Sequence, residues 1–110
     1  MTMKSFAAQI LEKAARHLDD RAKTYDTEEG GERSMEKTIA TFNALTGSQL
    51  TVEQGWLFMV ILKMVRTQQG GYRADNYEDG AAYFALAGEQ AEQDSHPTAH
   101  TLTSTATGKV

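Results

Sequence analysis

The sequence predicts an all-α fold, a compact bundle of about four helices with a flexible C-terminal tail, and three observations predict it. Apolar residues recur at three- and four-residue steps in four separate segments. Residues suited to helix ends bound those segments, with Ser5, Thr51 and Asp75 at starts and Gly47 and Gly70-Gly71 at ends. Strand-type alternation is nearly absent, surfacing only at 98–105, where alternating Thr suits an edge strand.

The first helix starts at a Ser5 cap. Phe6, Ile10, Leu11, Ala14, Ala15 and Leu18 form its stripe. Asp19 and Asp20 oppose the helix dipole near its end, so it stops or frays around Lys23. Residues 24–33 read as a loop, with Gly30, Gly31 and the acids Asp26, Glu28, Glu29 and Glu32 close together. The second helix begins at Glu32 or Ser34, carries Met35, Ile39, Phe42 and Leu45, and ends at Gly47. Thr51 and Gln54 have capping-box spacing before the third helix, residues 52–66. That helix is apolar nearly all round, as expected of a central core helix or one that also meets a partner chain. Asp75 and Glu78 read as the capping box of the fourth helix. Its largely small-residue face runs through Ala81, Ala82, Phe84, Ala85, Leu86 and Ala87, with Gly80 as a place for a close contact. From Asp94 the composition turns to Thr, Ser, Ala and His, so the domain is placed at 1–93 and the tail at 94–110.

Composition bounds the function. One domain is the prior for 110 residues, of which 40% are apolar and 24% charged. Such a chain buries roughly 65% of its extended surface on folding, enough for one modest core. A net charge of -4 lacks the basic footprint of a nucleic-acid binder. The absence of Cys excludes disulfide frameworks, thiolate zinc sites and thiol nucleophiles. No secretory signal pattern opens the chain, and no apolar run approaches the roughly 18 residues of a membrane span. Dinucleotide, phosphate-loop and nucleophile-elbow motifs do not occur. No catalytic residue, metal site or cofactor is therefore assigned.

Two clusters and a loop remain as candidate sites. Lys63 and Arg66 share one helix face, and Asp75, Asp79 and Tyr83 line a face of the next helix. A short connection makes those helices antiparallel neighbours, so the basic and acidic faces meet. The result is either an ion-pair network that sets register or a pocket for an anion or divalent metal. Arg16, Asp20, Arg21 and Tyr25 form a second cluster, read as Tyr25 packing its ring while Arg21 pairs with an acid. His96 and His100 have i, i+4 spacing, but no third ligand accompanies them, and His17 reads as a surface residue. The acids Asp26, Glu28, Glu29 and Glu32 are the candidate partner-binding patch, because such a patch steers a basic partner. Trp56, Phe58 and Met59 read as core residues before interface anchors. But the third helix has more apolar faces than a four-helix core of this size absorbs, so a homodimer interface or a partner's hot spot is the alternative.

The segment Asp20-Arg21-Ala22-Lys23-Thr24-Tyr25 resembles the Asp-Arg-Ala-x-x-Tyr signature of a family of uncharacterised small phage proteins. Lys63-x-x-Arg66 and the Asp75, Asp79, Tyr83 spacing continue the resemblance, which covers about residues 8 to 90. That family is similar in helical pattern to the MazG-type nucleoside triphosphate pyrophosphatases, which bind magnesium through paired acidic motifs on facing helices. Here Glu32 and Glu36 stand at a four-residue step, and Asp75, Glu78 and Asp79 lie near the later acidic pair. The small size, mild acidity and tail also resemble type I-C anti-CRISPR proteins of Pseudomonas phages. This second resemblance implies a non-enzymatic inhibitor in the host cytoplasm that occupies a host CRISPR-Cas protein, either a Cascade subunit or the recruited helicase–nuclease. It implies no contact with nucleic acid or membrane. The first implies the alternative of a MazG-like nucleotide-binding protein or pyrophosphatase.

Overall fold

A computed structural model describes residues 4–25 and 34–96. They form four α-helices: α1 (Phe6–Tyr25), α2 (Ser34–Thr46), α3 (Val52–Thr67) and α4 (Ala74–Ser95). Among the described residues there is no strand. The edge strand expected at 98–105 lies outside them, as do the loop residues 26–33 and the tail beyond His96.

Local chemistry accounts for most helix ends. Ser5 Oγ accepts from the Ala8 N–H at 3.1 Å, capping α1 as its position suggests. Helix α1 runs past the two aspartates to Tyr25, and in its last turn the Thr24 hydroxyl donates to the Asp20 carbonyl at 3.1 Å. Gly47 ends α2 at φ +74°, a conformation that costs glycine little, and its N–H returns to the Asn43 carbonyl at 2.8 Å. Asn43 then closes the α2–α3 connection from both sides. Its amide donates to the Leu50 carbonyl at 2.9 Å and accepts from the Leu50 N–H at 3.1 Å. At α3 the capping box is complete, with Gln54 N–H on Thr51 Oγ1 at 3.1 Å and Thr51 N–H on Gln54 Oε1 at 3.0 Å.

The start of α4 differs from the expected box. The N-cap is Arg73, without a side-chain cap bond, and Asp75 sits inside the first turn. The Arg73 guanidinium takes the Asp75 carboxylate at 3.3 and 3.4 Å, so that carboxylate does not reach the Glu78 N–H.

Helix α4 packs on both α3 and α1, while α2 packs on α3. Contacts between Lys63 and Asp79 and between Trp56 and Tyr83 run in opposite senses along α3 and α4, so these helices are antiparallel. Contacts of His17 with Glu78 and Arg21 with Tyr83 advance together, so α1 lies parallel to α4. The core gathers Met35 and Ile39 of α2, Trp56 of α3 and Ala87 of α4, with Val52, Leu57, Met59, Tyr83 and Leu86 packed around it.

Several residues assigned to apolar stripes face outward. On α1 Ala14 is buried, but Phe6 and Leu11 are exposed. On α2 Met35 and Ile39 are buried, whereas Phe42 and Leu45 are exposed. Phe58 of α3 and Phe84 of α4 are also exposed. Each helix is covered over a narrower arc than a closed four-helix bundle would cover, because α2 leans on α3 rather than closing against α1 and α4. The close approach falls at Gly55 rather than Gly80. A Cβ at Gly55 would meet Met35 Sδ at 2.5 Å and Ile39 Cγ1 at 2.8 Å, whereas one at Gly80 would make ordinary contact with Lys63 Cβ at 3.6 Å.

Candidate functional site

The face predicted from Lys63, Arg66, Asp75, Asp79 and Tyr83 divides into three parts. The first is a charged layer between α1, α3 and α4. Lys63 projects from α3 into the interface with α4, and burial of an ammonium there requires a counter-ion. Asp79 supplies it at 3.0 Å. On the α1 side, His17 Nε2 lies 3.2 Å from Glu78 Oε1 and 3.8 Å from Asp79 Oδ1, and Lys13 Nζ is 4.0 Å from Glu78 Oε2. Glu78 is itself buried. His17, read as a surface residue, is thus a half-buried partner of the acids on α4, because α1 lies parallel to α4 and presents every fourth residue to it.

The second part is aromatic. Tyr83 stacks on Trp56 with ring centroids 5.8 Å apart and an interplanar angle of 22°. The Arg21 guanidinium lies over the other end of this stack, 5.3 Å from the Tyr83 ring centroid, with Nη2 3.5 Å from the Tyr83 hydroxyl. Arg21 therefore docks α1 on α4 through an aromatic ring. The Tyr25 side chain and its expected packing lie outside the described residues.

The third part is a polar cleft where α3 ends and α4 begins, about 300 Å³ in volume and lined by Lys63, Arg66, Gln69, Arg73, Asp75 and Asn76. Asp75 does not join Lys63 or Arg66 in an ion pair. It pairs with Arg73, and that hydrogen bond is the main cause holding its carboxyl below the ordinary 3.8. Arg66 makes no ion pair among the described residues. Asn76 and Arg73 escaped the sequence reading. The only signal was a short polar stretch between a glycine turn and an apolar helix.

The other candidates take simple positions. The acids Asp26, Glu28, Glu29 and Glu32 lie outside the described residues, as does His100. His96 pairs with Glu92 one turn earlier on the exposed end of α4, at 3.2 Å. Among the described residues no group of His, Asp and Glu is arranged to hold a metal ion, and no helix is long and apolar enough to cross a membrane.

Fold and site together define an all-α helical domain with a charged interhelical layer beside an open polar cleft. The chain belongs to the DUF6378 family, a domain of unknown function, whose pattern matches residues 9–91. The match takes in most of α1, all of α2 and α3 and most of α4, and so the layer, the aromatic stack and the cleft. No curated protein and no solved structure matches the chain.

Proposed function

We propose that this chain is a non-enzymatic binding protein, a phage or mobile-element inhibitor that blocks a type I CRISPR-Cas system by direct contact with Cascade or its recruited helicase–nuclease. The observation that carries the binding reading is the outward half of α3. Phe58, Ile61 and Val65 stand at steps of three and four on one face, 66%, 55% and 48% exposed, while Trp56 and Lys63 point the opposite way into α4. An apolar face of this kind, set among polar residues, marks a protein-interaction surface. It continues into a groove of about 230 Å³ between α2 and α3, lined by Ile39, Phe42, Leu50, Phe58 and Met59, sized for a partner's apolar side chain. The acidic residues 26–32 supply the steering charge for a basic partner. The identity of that partner rests on the resemblance to anti-CRISPR proteins.

Pull-down with purified type I CRISPR components and a phage-survival assay test this together. The wild-type chain is expected to retain one component and to protect phage. Phe58→Glu and Ile61→Glu should abolish both while leaving stability within about 0.5 kcal/mol, since both side chains are exposed. Charge reversal at Glu28, Glu29 and Glu32 should slow capture. Retention of no CRISPR component, with no gain in phage survival, would falsify the reading. Light scattering that shows a dimer, made monomeric by Phe58→Glu, would assign the α3 face to a second copy instead. Magnesium-dependent release of pyrophosphate from a nucleoside triphosphate would favour the MazG-like enzyme.

A further inference from the structure

The cleft between the end of α3 and the start of α4 has the marks of a ligand site that the fold does not fill. Asn76 is 6% exposed, and its side-chain amide has no hydrogen-bond partner among the described residues, although it lines the cleft. A buried amide left without a partner costs free energy, and native folds rarely carry one without a reason. Around it stand cations with donors to spare. Arg66 makes no ion pair among the described residues. Lys63 spends one N–H on Asp79, and an ammonium has two more. Arg73 is held by Asp75 at the mouth. The first turn of α4 opens here too, with no side-chain cap at Arg73, the Asn76 N–H on the Arg73 carbonyl at 3.2 Å, and the acid Asp75 on the turn.

These groups are nearly all donors, and their charges fit an oxyanion. Against Lys63, Arg66 and Arg73 stand Asp75 and Asp79, which leaves one positive charge uncompensated. A second cleft, of about 410 Å³, adjoins the first and shares Lys63 and Asn76 with it. Its wall is mostly apolar, from Val60, Met64, Tyr77 and Ala81. A polar cradle for an anion thus abuts an apolar wall, and the volumes fall in the range of small-molecule sites. We propose that the paired clefts bind a small phosphate monoester. Its phosphate sits against Arg66, Lys63, Asn76 and the α4 N-terminus, and its apolar or aromatic body lies along Val60 and Tyr77. This site is separate from the α3 face assigned to a protein partner and stands or falls without it.

Calorimetry and amide-shift titration of the full chain with inorganic phosphate, phenyl phosphate and a nucleoside 5′-monophosphate test the site. Saturable binding is expected, with shifts at residues 66–76 and the esters about tenfold tighter than inorganic phosphate. Arg66→Gln and Asn76→Ala should each weaken ester binding about tenfold or more, the loss typical of one hydrogen bond to a charged group. Lys37→Gln, on the exposed face of α2, should leave it unchanged. Arg66 is exposed, so its variant folds and keeps the test valid even if Asn76→Ala does not. No saturable binding of any of the three probes overturns the proposal, as does weakening by Lys37→Gln equal to that by Arg66→Gln. Esters that bind no tighter than inorganic phosphate overturn the assignment of the apolar cleft.

Discussion

Lys63 puts an ammonium on the side of α3 that faces α4, where its side chain is only 11% exposed, and Asp79 answers it at 3.0 Å. Removing one member of such a pair strands the other away from water, which costs more than the pair itself contributes. Asp79 keeps partial access to solvent, so the penalty is moderate. Asp79→Ala is expected to lower stability by about 1–3 kcal/mol, read as a drop in melting temperature. Adding Lys63→Met should recover most of the loss. An unchanged melting temperature for Asp79→Ala would contradict a buried pair. Sequence spacing brought Lys63 and Asp79 to facing helices correctly, because both helices were legible and their connection is short. The remaining pairings were not legible. Asp75 took Arg73, two residues away, since a guanidinium beside the carboxylate outcompetes cations across the cleft. Nothing in the spacing of His17 or Lys13 pointed to Glu78, since the contact joins residues about sixty positions apart.

Element boundaries followed from chemistry within a few residues. The capping box at Thr51, the Ser5 cap and the Gly47 stop all stand where local rules put them. The rule that failed at Asp75 was local as well, but two local partners competed for one carboxylate. Gly55 is required by a neighbouring helix rather than by its own. It sits in the first turn of α3 because Met35 and Ile39 of α2 press against that spot. Alanine there gains about 1 kcal/mol of helix propensity but overpacks the contact, which typically costs about 1–3 kcal/mol. Gly55→Ala is therefore expected to destabilise the protein by about 1 kcal/mol in equilibrium denaturation, by loosening α2. A clear gain in stability would show that Met35 and Ile39 yield freely.

Across the molecule, stability is unevenly distributed. Helix α4 is held by α3 and α1, and the charged layer and the Trp56–Tyr83 stack both lie in those contacts. Helix α2 is held by α3, through Met35 and Ile39. Elements with fewer buried contacts open at lower free energy. Amide exchange in α2 is expected to be faster than in α3 and α4, with the slowest amides near Trp56 and Ala82. Equal protection in all four helices would mean that α2 is anchored by more than its α3 contact. The same arrangement explains why so many stripe residues ended outside. A stripe says which residues share a face, but the width of the covered arc depends on how many neighbours a helix finds. Four helices, their approximate bounds and the one strongly apolar helix were set by interactions between residues a few positions apart, and such interactions can be read along a chain. The parallel pairing of α1 with α4, the choice of Glu78 and Asp79 as the hub of the charged layer, and the open cleft at Asn76 arose from how the helices lie against one another. That depends on contacts between distant residues, whose distances no local spacing encodes.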